Sequence, residues 1–276
     1  MATLIRSAKS GSDWGRNELR AYNIQVVNED LVTFFGTRQL PPPTVRTAVL
    51  ANESYPAAGL PNNEDRLFFL YMHEAMLHSP GEESAVDDLA AHLLTTIGYD
   101  QPDRLICQRK DIPLYMCGSN VHVETDVCVV DYSPQNKGIL LLFQEGERFL
   151  EQGDAEAQVI AEAIAAFQTN NLQRAMAGQP TVNAQVLPAI TMTGTALTFC
   201  KVDVTSALVE AIEGAQYPEH VTIVHKLIPP VQQPVELQFH GTRPLHNRRV
   251  ILSCFEAFKQ FLWYLASWCP QMQGGF

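Results

Sequence analysis

The chain has 276 residues, 46% apolar and 18% charged, with a formal charge of −11 and an isoelectric point near 5.1. That length and composition suit one elaborated globular domain with a sizeable core. They exclude a generally basic platform for a polyanion, so contact with nucleic acid would need a local cationic patch. Candidates for the patch are Arg104, Arg109 and Lys110, then Arg148, then Arg243, Arg248 and Arg249, against the alternative that these are scattered surface charges.

In chain order, residues 1–20 are polar, with Arg6, Lys9, Asp13, Arg16, Glu18 and Arg20, and no secretory leader is expected. No run approaches ~18 apolar residues, so no membrane-spanning helix is expected, and a cytoplasmic or nuclear location follows. Tyr22 to Val27 and Leu31 to Phe35 read as short strands or irregular packing segments, followed by a break at Pro41-Pro42-Pro43. A helix is predicted over 62–77, capped at Asn63. A second, over 82–97, carries Val86, Leu89, Ala90, Leu93, Leu94 and Ile97 on one stripe and stops at Gly98.

The period then changes. Segments 104–107, 114–117, 122–130 and 138–143 read as strands of an antiparallel meander, with turns at Gly118-Ser119-Asn120 and residues 133–138. A long helix follows from Asp154 to about Met176, with Val159, Ile160, Ala163, Ile164, Ala166 and Phe167 on its apolar face. Strands are predicted over 189–204, with a break near Gly194, and over 221–228, with a short helix over 205–214 between them. An aromatic helix over about 247–268 ends the chain, holding Phe255, Phe258, Phe261, Leu262, Trp263, Leu265 and Trp268. Periodicity favours packing of this helix on the sheet; a homodimer interface is the alternative. The whole reads as one domain of 1–276: an N-terminal extension over 1–80, a core over 81–230 and the C-terminal helix over 231–276.

Six cysteines, at 107, 117, 128, 200, 254 and 269, form no CxxC, and four of them (107, 128, 200 and 254) lie in apolar runs, as reduced core cysteines do. The histidines show no HxH or HExxH spacing, and the chain has no G-x-S-x-G, phosphate loop or dinucleotide fingerprint.

Two acids carry the chemistry. Asp126 interrupts the apolar strand 123–130, and Glu145 ends the very apolar run Leu140-Leu141-Leu142-Phe143. Buried carboxylates are costly unless paired, hydrogen-bonded or bound to a metal. A divalent-metal site between neighbouring strands is one explanation; solvent-facing strand ends are the other. Asp131, at the end of the same strand, rivals Asp126. Glu82 and Glu83 begin a helix, where its dipole favours acids in any case. Strand alternation puts Glu145 and Glu147 on the face of Phe143.

The order helix, three strands, helix, strand, with acids at these positions, resembles the PD-(D/E)XK nuclease superfamily over roughly residues 80–230. The resemblance implies an α/β fold with a central mixed β-sheet flanked by helices, a restriction-endonuclease-like core with N- and C-terminal additions. It implies Mg²⁺ or Mn²⁺ held by Glu83, Asp126 and Glu145, catalysis by Asp126, Glu145 and Glu147, and Gln158 supporting the ligands from behind. The Lys of the acid-x-Lys element is replaced by Glu147. Trp14 to Ile24 and Ala161 to Gln168 are also similar to a broad family of mushroom-forming fungi, whose members commonly carry Glu-x-Lys there. The implied activity is Mg²⁺-dependent hydrolysis of phosphodiesters. The alternative is a catalytically degenerate nuclease fold serving as a binding module, favoured by Glu147 and the acidic charge. A metal-dependent enzyme acting on a small phosphorylated substrate stands third.

Overall fold

The computed structural model describes residues 6–56, 59–77, 84–133, 137–146 and 153–263. Its elements run α1 (Arg16–Ala21), β1 (Ile24–Asn28), α2 (Leu31–Phe35), α3 (Thr47–Ala51), α4 (Asn63–Glu74), α5 (Ser84–Ile97), β2 (Arg104–Met116), β3 (Ser119–Asp131), β4 (Gly138–Glu145), α6 (Gly153–Met176), β5 (Ala184–Thr193), β6 (Ala196–Thr205), α7 (Ser206–Glu213), β7 (Thr222–Leu227), α8 (Pro234–His240), α9 (Leu245–Phe258) and α10 (Gln260–Trp263). A seven-stranded sheet runs β1-β7-β6-β5-β4-β3-β2. β4 pairs parallel with β5 and β1 pairs parallel with β7, while the other neighbours are antiparallel. A parallel pair needs a long crossover, and α6 supplies it between β4 and β5. The fold is therefore α/β, with a mixed sheet between two helical layers.

One layer packs α4, α5 and α9 on the sheet through Phe68, Leu89, Leu93, Phe255 and Phe258, against Val127, Leu141 and Phe143. The other buries α6 against Cys128, Leu142, Ala189 and Cys200, with Trp14, Leu19 and Tyr22 outside it. Because α6 is covered on both sides, residues 159–161 and 163–167 are all buried, which explains an apolar run wider than one stripe.

The β2–β3 hairpin turns at Cys117 and Gly118, with φ of 52° and 76°. Two positive φ values in a two-residue turn match the right-handed twist of the flanking strands. Along this hairpin both strands switch faces. Val127 and Ile106 pack in the α5 layer, whereas Val123, Ile112 and Leu114 pack in the α6 layer. Strict alternation would put Val123 and Val127 on one face. The pairs Gln108↔Val127 and Lys110↔Thr125 keep one register, so the switch occurs without inserting a residue, at Arg109 and the facing Asp126. Arg109 absorbs it with a φ of 49°, a left-handed backbone that is costly for a side chain bearing a Cβ.

Several sequence expectations shift. Segments 104–107 and 114–117 are one strand, β2, which runs through Pro113 at the sheet edge. Leu31–Phe35 is a helix because Asp30 accepts from Val32 N and Thr33 N at its start. Asn62, rather than Asn63, caps α4. The segment 189–204 is two strands folded at Gly194. The C-terminal helix is α9 and α10 as far as Trp263; Leu265 and Trp268 lie outside the described residues. Phe255, Phe258 and Leu262 are buried in the chain's own core.

Three amides on α6 substitute for strand neighbours. Gln168 accepts from Tyr115 N (2.9 Å) and donates to Tyr115 O (3.0 Å), capping edge strand β2. Asn170 does the same for Ile139 N and O, at 2.7 and 3.0 Å, and Asn171 for Val182, at 2.8 and 3.0 Å. Each matches a peptide group in donor and acceptor, so the outer side of Tyr115, the β5 side of Ile139 and the Val182 backbone just before β5 remain paired.

Candidate functional site

Asp126 sits at the face switch of β3, and Glu145 at the last position of β4. Both are half-buried. The Glu145 amide donates to Asp126 Oδ2 at 2.6 Å, so the two predicted ligand residues are joined directly. The bond anchors the Asp126 carboxylate at the end of the neighbouring strand. Glu83 and Glu147 lie outside the described residues. Gln158 is half-buried on α6, one helical turn before Glu162.

Glu162 is the residue that the sequence reading passed over. It has no exposed surface, and among the described residues only the Thr125 hydroxyl stands near its carboxyl as a hydrogen-bonding group. Burial holds its carboxyl well above the usual carboxylate range; the neighbouring Thr125 hydroxyl opposes that shift and the Asp126 charge adds to it. The Thr125 proton is directed to the Val127 and Phe143 carbonyls, at 3.2 and 3.3 Å. Gln144 lies two residues beyond Leu142, on the face that meets α6, and its buried amide oxygen has no donor among the described residues. Its amide nitrogen donates to Glu145 O at 3.3 Å. Between the sheet and α6, then, the Glu162 carboxyl and the Gln144 amide oxygen are buried with few polar partners among the described residues. The sequence did carry a signal: Glu162 is the only ionisable residue in the run 157–167, where every neighbour but Gln158 is apolar.

Among the described residues no three His, Cys, Asp or Glu side chains are gathered as a metal centre. Two clefts of about 430 and 420 Å³ lie elsewhere, one beside Tyr99, Arg104 and Lys259 and the other between Tyr115, Leu172 and Glu213.

The candidate cationic patch changes most. Arg248 is fully buried. Its Nε donates to Thr242 O (3.2 Å), Nη1 to Val49 O (2.9 Å) and Asn52 O (2.7 Å), and Nη2 to Glu53 O (2.8 Å) and Arg243 O (2.6 Å). It ties the C-terminal end of α3 to α9 and is not available to a phosphate. Arg249 is exposed and donates to Leu50 O, Arg104 is half-buried, and Arg109 is exposed across from Asp126. The rival acid Asp131 is buried and accepts from Ser133 N at 2.7 Å, closing its own turn.

Cys107, Cys117, Cys128, Cys200 and Cys254 are free thiols. Burial raises Cys128, Cys200 and Cys254 to about 12, which leaves them unreactive core residues. No helix among the described residues is long and apolar enough to cross a membrane. Comparison with protein-family models finds no match to the chain, and comparison with curated proteins finds none either.

Proposed function

We propose that the chain is a divalent-metal-dependent phosphodiester hydrolase with its site at Asp126 and Glu145, in the manner of a PD-(D/E)XK nuclease. The observation that carries this reading is the direct bond from the Glu145 amide to Asp126 Oδ2, which unites two acids from neighbouring strands at a distorted point of the sheet. Distorted backbone beside polar groups marks functional sites more often than plain core. The donor set fits Mg²⁺ or Mn²⁺, which take hard oxygen ligands and retain several waters. Bound there, the ion would lower the pKa of a water and offset charge on the phosphoryl oxygens. Asp126 and Glu145 hold the ion, with Glu83 from the preceding helix. Glu147 orients the attacking water, and Gln158 supports the ligands from α6. Arg109 supplies, across the strands, positive charge that Glu147 does not.

A second reading is a catalytically degenerate fold that binds a partner. It is supported by the burial of Arg248, which removes one of nineteen Lys and Arg residues from the surface of a chain of charge −11, and by Glu147 at the Lys position. A C-terminal homodimer belongs to this reading. Digestion of plasmid DNA and single-stranded RNA with Mg²⁺ or Mn²⁺ separates the two. Hydrolysis by the native chain, lost in Asp126→Ala, supports the enzyme; hydrolysis only after Glu147→Lys supports the binding module.

A further inference from the structure

Cys107 on β2 and Cys128 on β3 face each other directly in the register of the edge hairpin. Both lie on the face that meets α6: Cys128 is fully buried there, and Cys107 is half-buried and packs against the same cluster. We propose that these two thiols are a redox-modification site, which a hydroperoxide converts to a reversible disulfide across the β2–β3 hairpin. Facing residues of an antiparallel pair have Cα atoms about 4.5 or 5.5 Å apart, and both values fall within the roughly 4.4–6.8 Å that a disulfide spans. Their Cβ atoms need to close by about 1 Å. β2 is the outermost strand and pairs with β3 alone, so it can yield by that amount. No other described cysteine has this placement. The register Cys128↔Leu142↔Ala189↔Cys200 puts Cys200 three strands away, about 14 Å at ~4.8 Å a strand. Cys117 Sγ is hydrogen-bonded to the Tyr22 hydroxyl at 3.1 Å, and Cys254 lies in the opposite core layer.

The two sulfurs take different parts. Cys107 has exposed surface, so it meets the oxidant first. Burial pushes the Cys128 thiol up to about 12, and Cys107 beside it adds to that shift. Alone, Cys128 is a poor nucleophile towards a dissolved oxidant. In the first step the Cys107 sulfur attacks one peroxide oxygen, the O–O bond breaks, and Cys107 becomes a sulfenic acid as one water leaves. In the second the Cys128 sulfur, held opposite, attacks the Cys107 sulfur. The S–O bond breaks, the S–S bond forms, and the Cys128 proton leaves with the hydroxyl as a second water. Two thiols are oxidised while one peroxide is reduced to two waters. The bond ties the strands together two residues from the face switch at Arg109 and Asp126.

The test treats the native chain, Cys107→Ser and Cys128→Ala with hydrogen peroxide, blocks the remaining thiols by alkylation in denaturant, and maps the peptides by mass spectrometry without reduction. A linked Cys107–Cys128 peptide as the main product of the native chain, removed by dithiothreitol, is the expected result. Dimedone then traps a sulfenic acid at Cys107 in Cys128→Ala, where no second thiol resolves it, and Cys128 stays a thiol in Cys107→Ser. Three results in the native chain overturn the proposal: Cys107 oxidised to sulfinic acid with no linked peptide, a link from either cysteine to Cys117 or Cys200 instead, or both thiols left unmodified. These are read in the native chain, so they hold whether or not a variant folds.

Discussion

Among the described residues, Glu162 and Arg248 are the two charged side chains with no exposed surface, and they are treated in opposite ways. Arg248 directs its donors to five backbone carbonyls, and a planar five-donor group is the only side chain that matches this arrangement. Arg248→Lys is expected to lose about 3–5 kcal/mol in urea unfolding, because a single ammonium leaves buried carbonyls unpaired. No local pattern marks this role, since Val49, Asn52 and Glu53 reach Arg248 only through the tertiary fold. Glu162 has no such partners, and it makes stability depend on pH. Its carboxyl titrates well above 4.5 in the folded chain, so the folded state keeps a proton that the unfolded chain releases. Stability then falls as pH rises above about 4.5, by roughly 1.4 kcal/mol per unit, until the folded carboxyl ionises. Glu162→Gln lacks that slope. Urea midpoints at pH 5, 6 and 7 should diverge from those of the native chain, with the variant gaining ground as pH rises.

At the scale of elements, periodicity identified α5, whose stripe is buried on one face, and the apolar runs marked the meander, α6 and the later strands. It failed where burial does not follow the period. The β2 segment reads from the sequence as two separate strands, 104–107 and 114–117, whereas the β2–β3 hairpin is continuous and switches faces at Arg109 and Asp126. That switch depends on the backbone of one residue, and nothing in the residue types around Arg109 marks it. Its consequence is that Asp126 falls at a distorted point rather than in a regular ladder. The clasp residues of α6 were invisible for a related reason: Gln168, Asn170 and Asn171 read as a polar helix end, yet each pairs a separate strand backbone. Asn170 is buried and Gln168 is half-exposed. Asn170→Ala is therefore expected to cost about 2–3 kcal/mol in urea unfolding, through the unpaired Ile139 N–H and C=O, and Gln168→Ala about 1 kcal/mol, because water replaces its partner. Equal losses would contradict the clasp.

Over the whole molecule, charge and site pull in different directions. The net charge is −11, and Arg248 is withdrawn into the core. Few phosphates of a nucleic acid bound at Asp126 are then neutralised by the protein. Anisotropy titrations between 50 and 200 mM salt should give weak binding with a slope shallower than about −3 in log K against log salt; a slope near −6 would reveal a basic surface elsewhere. The aromatic C-terminus, equally conspicuous in the sequence, has Phe255 and Phe258 packed against Phe199 in its own core, so those rings complete the α5 layer. What remains distinctive is the pair of acids joined between β3 and β4. A crystal soaked in Mn²⁺ and examined at the manganese absorption edge tests that pair most directly. An anomalous peak bounded by the carboxylates of Asp126 and Glu145, absent in Asp126→Ala, is the predicted result; a fully occupied peak elsewhere, with none between these two acids, would contradict it.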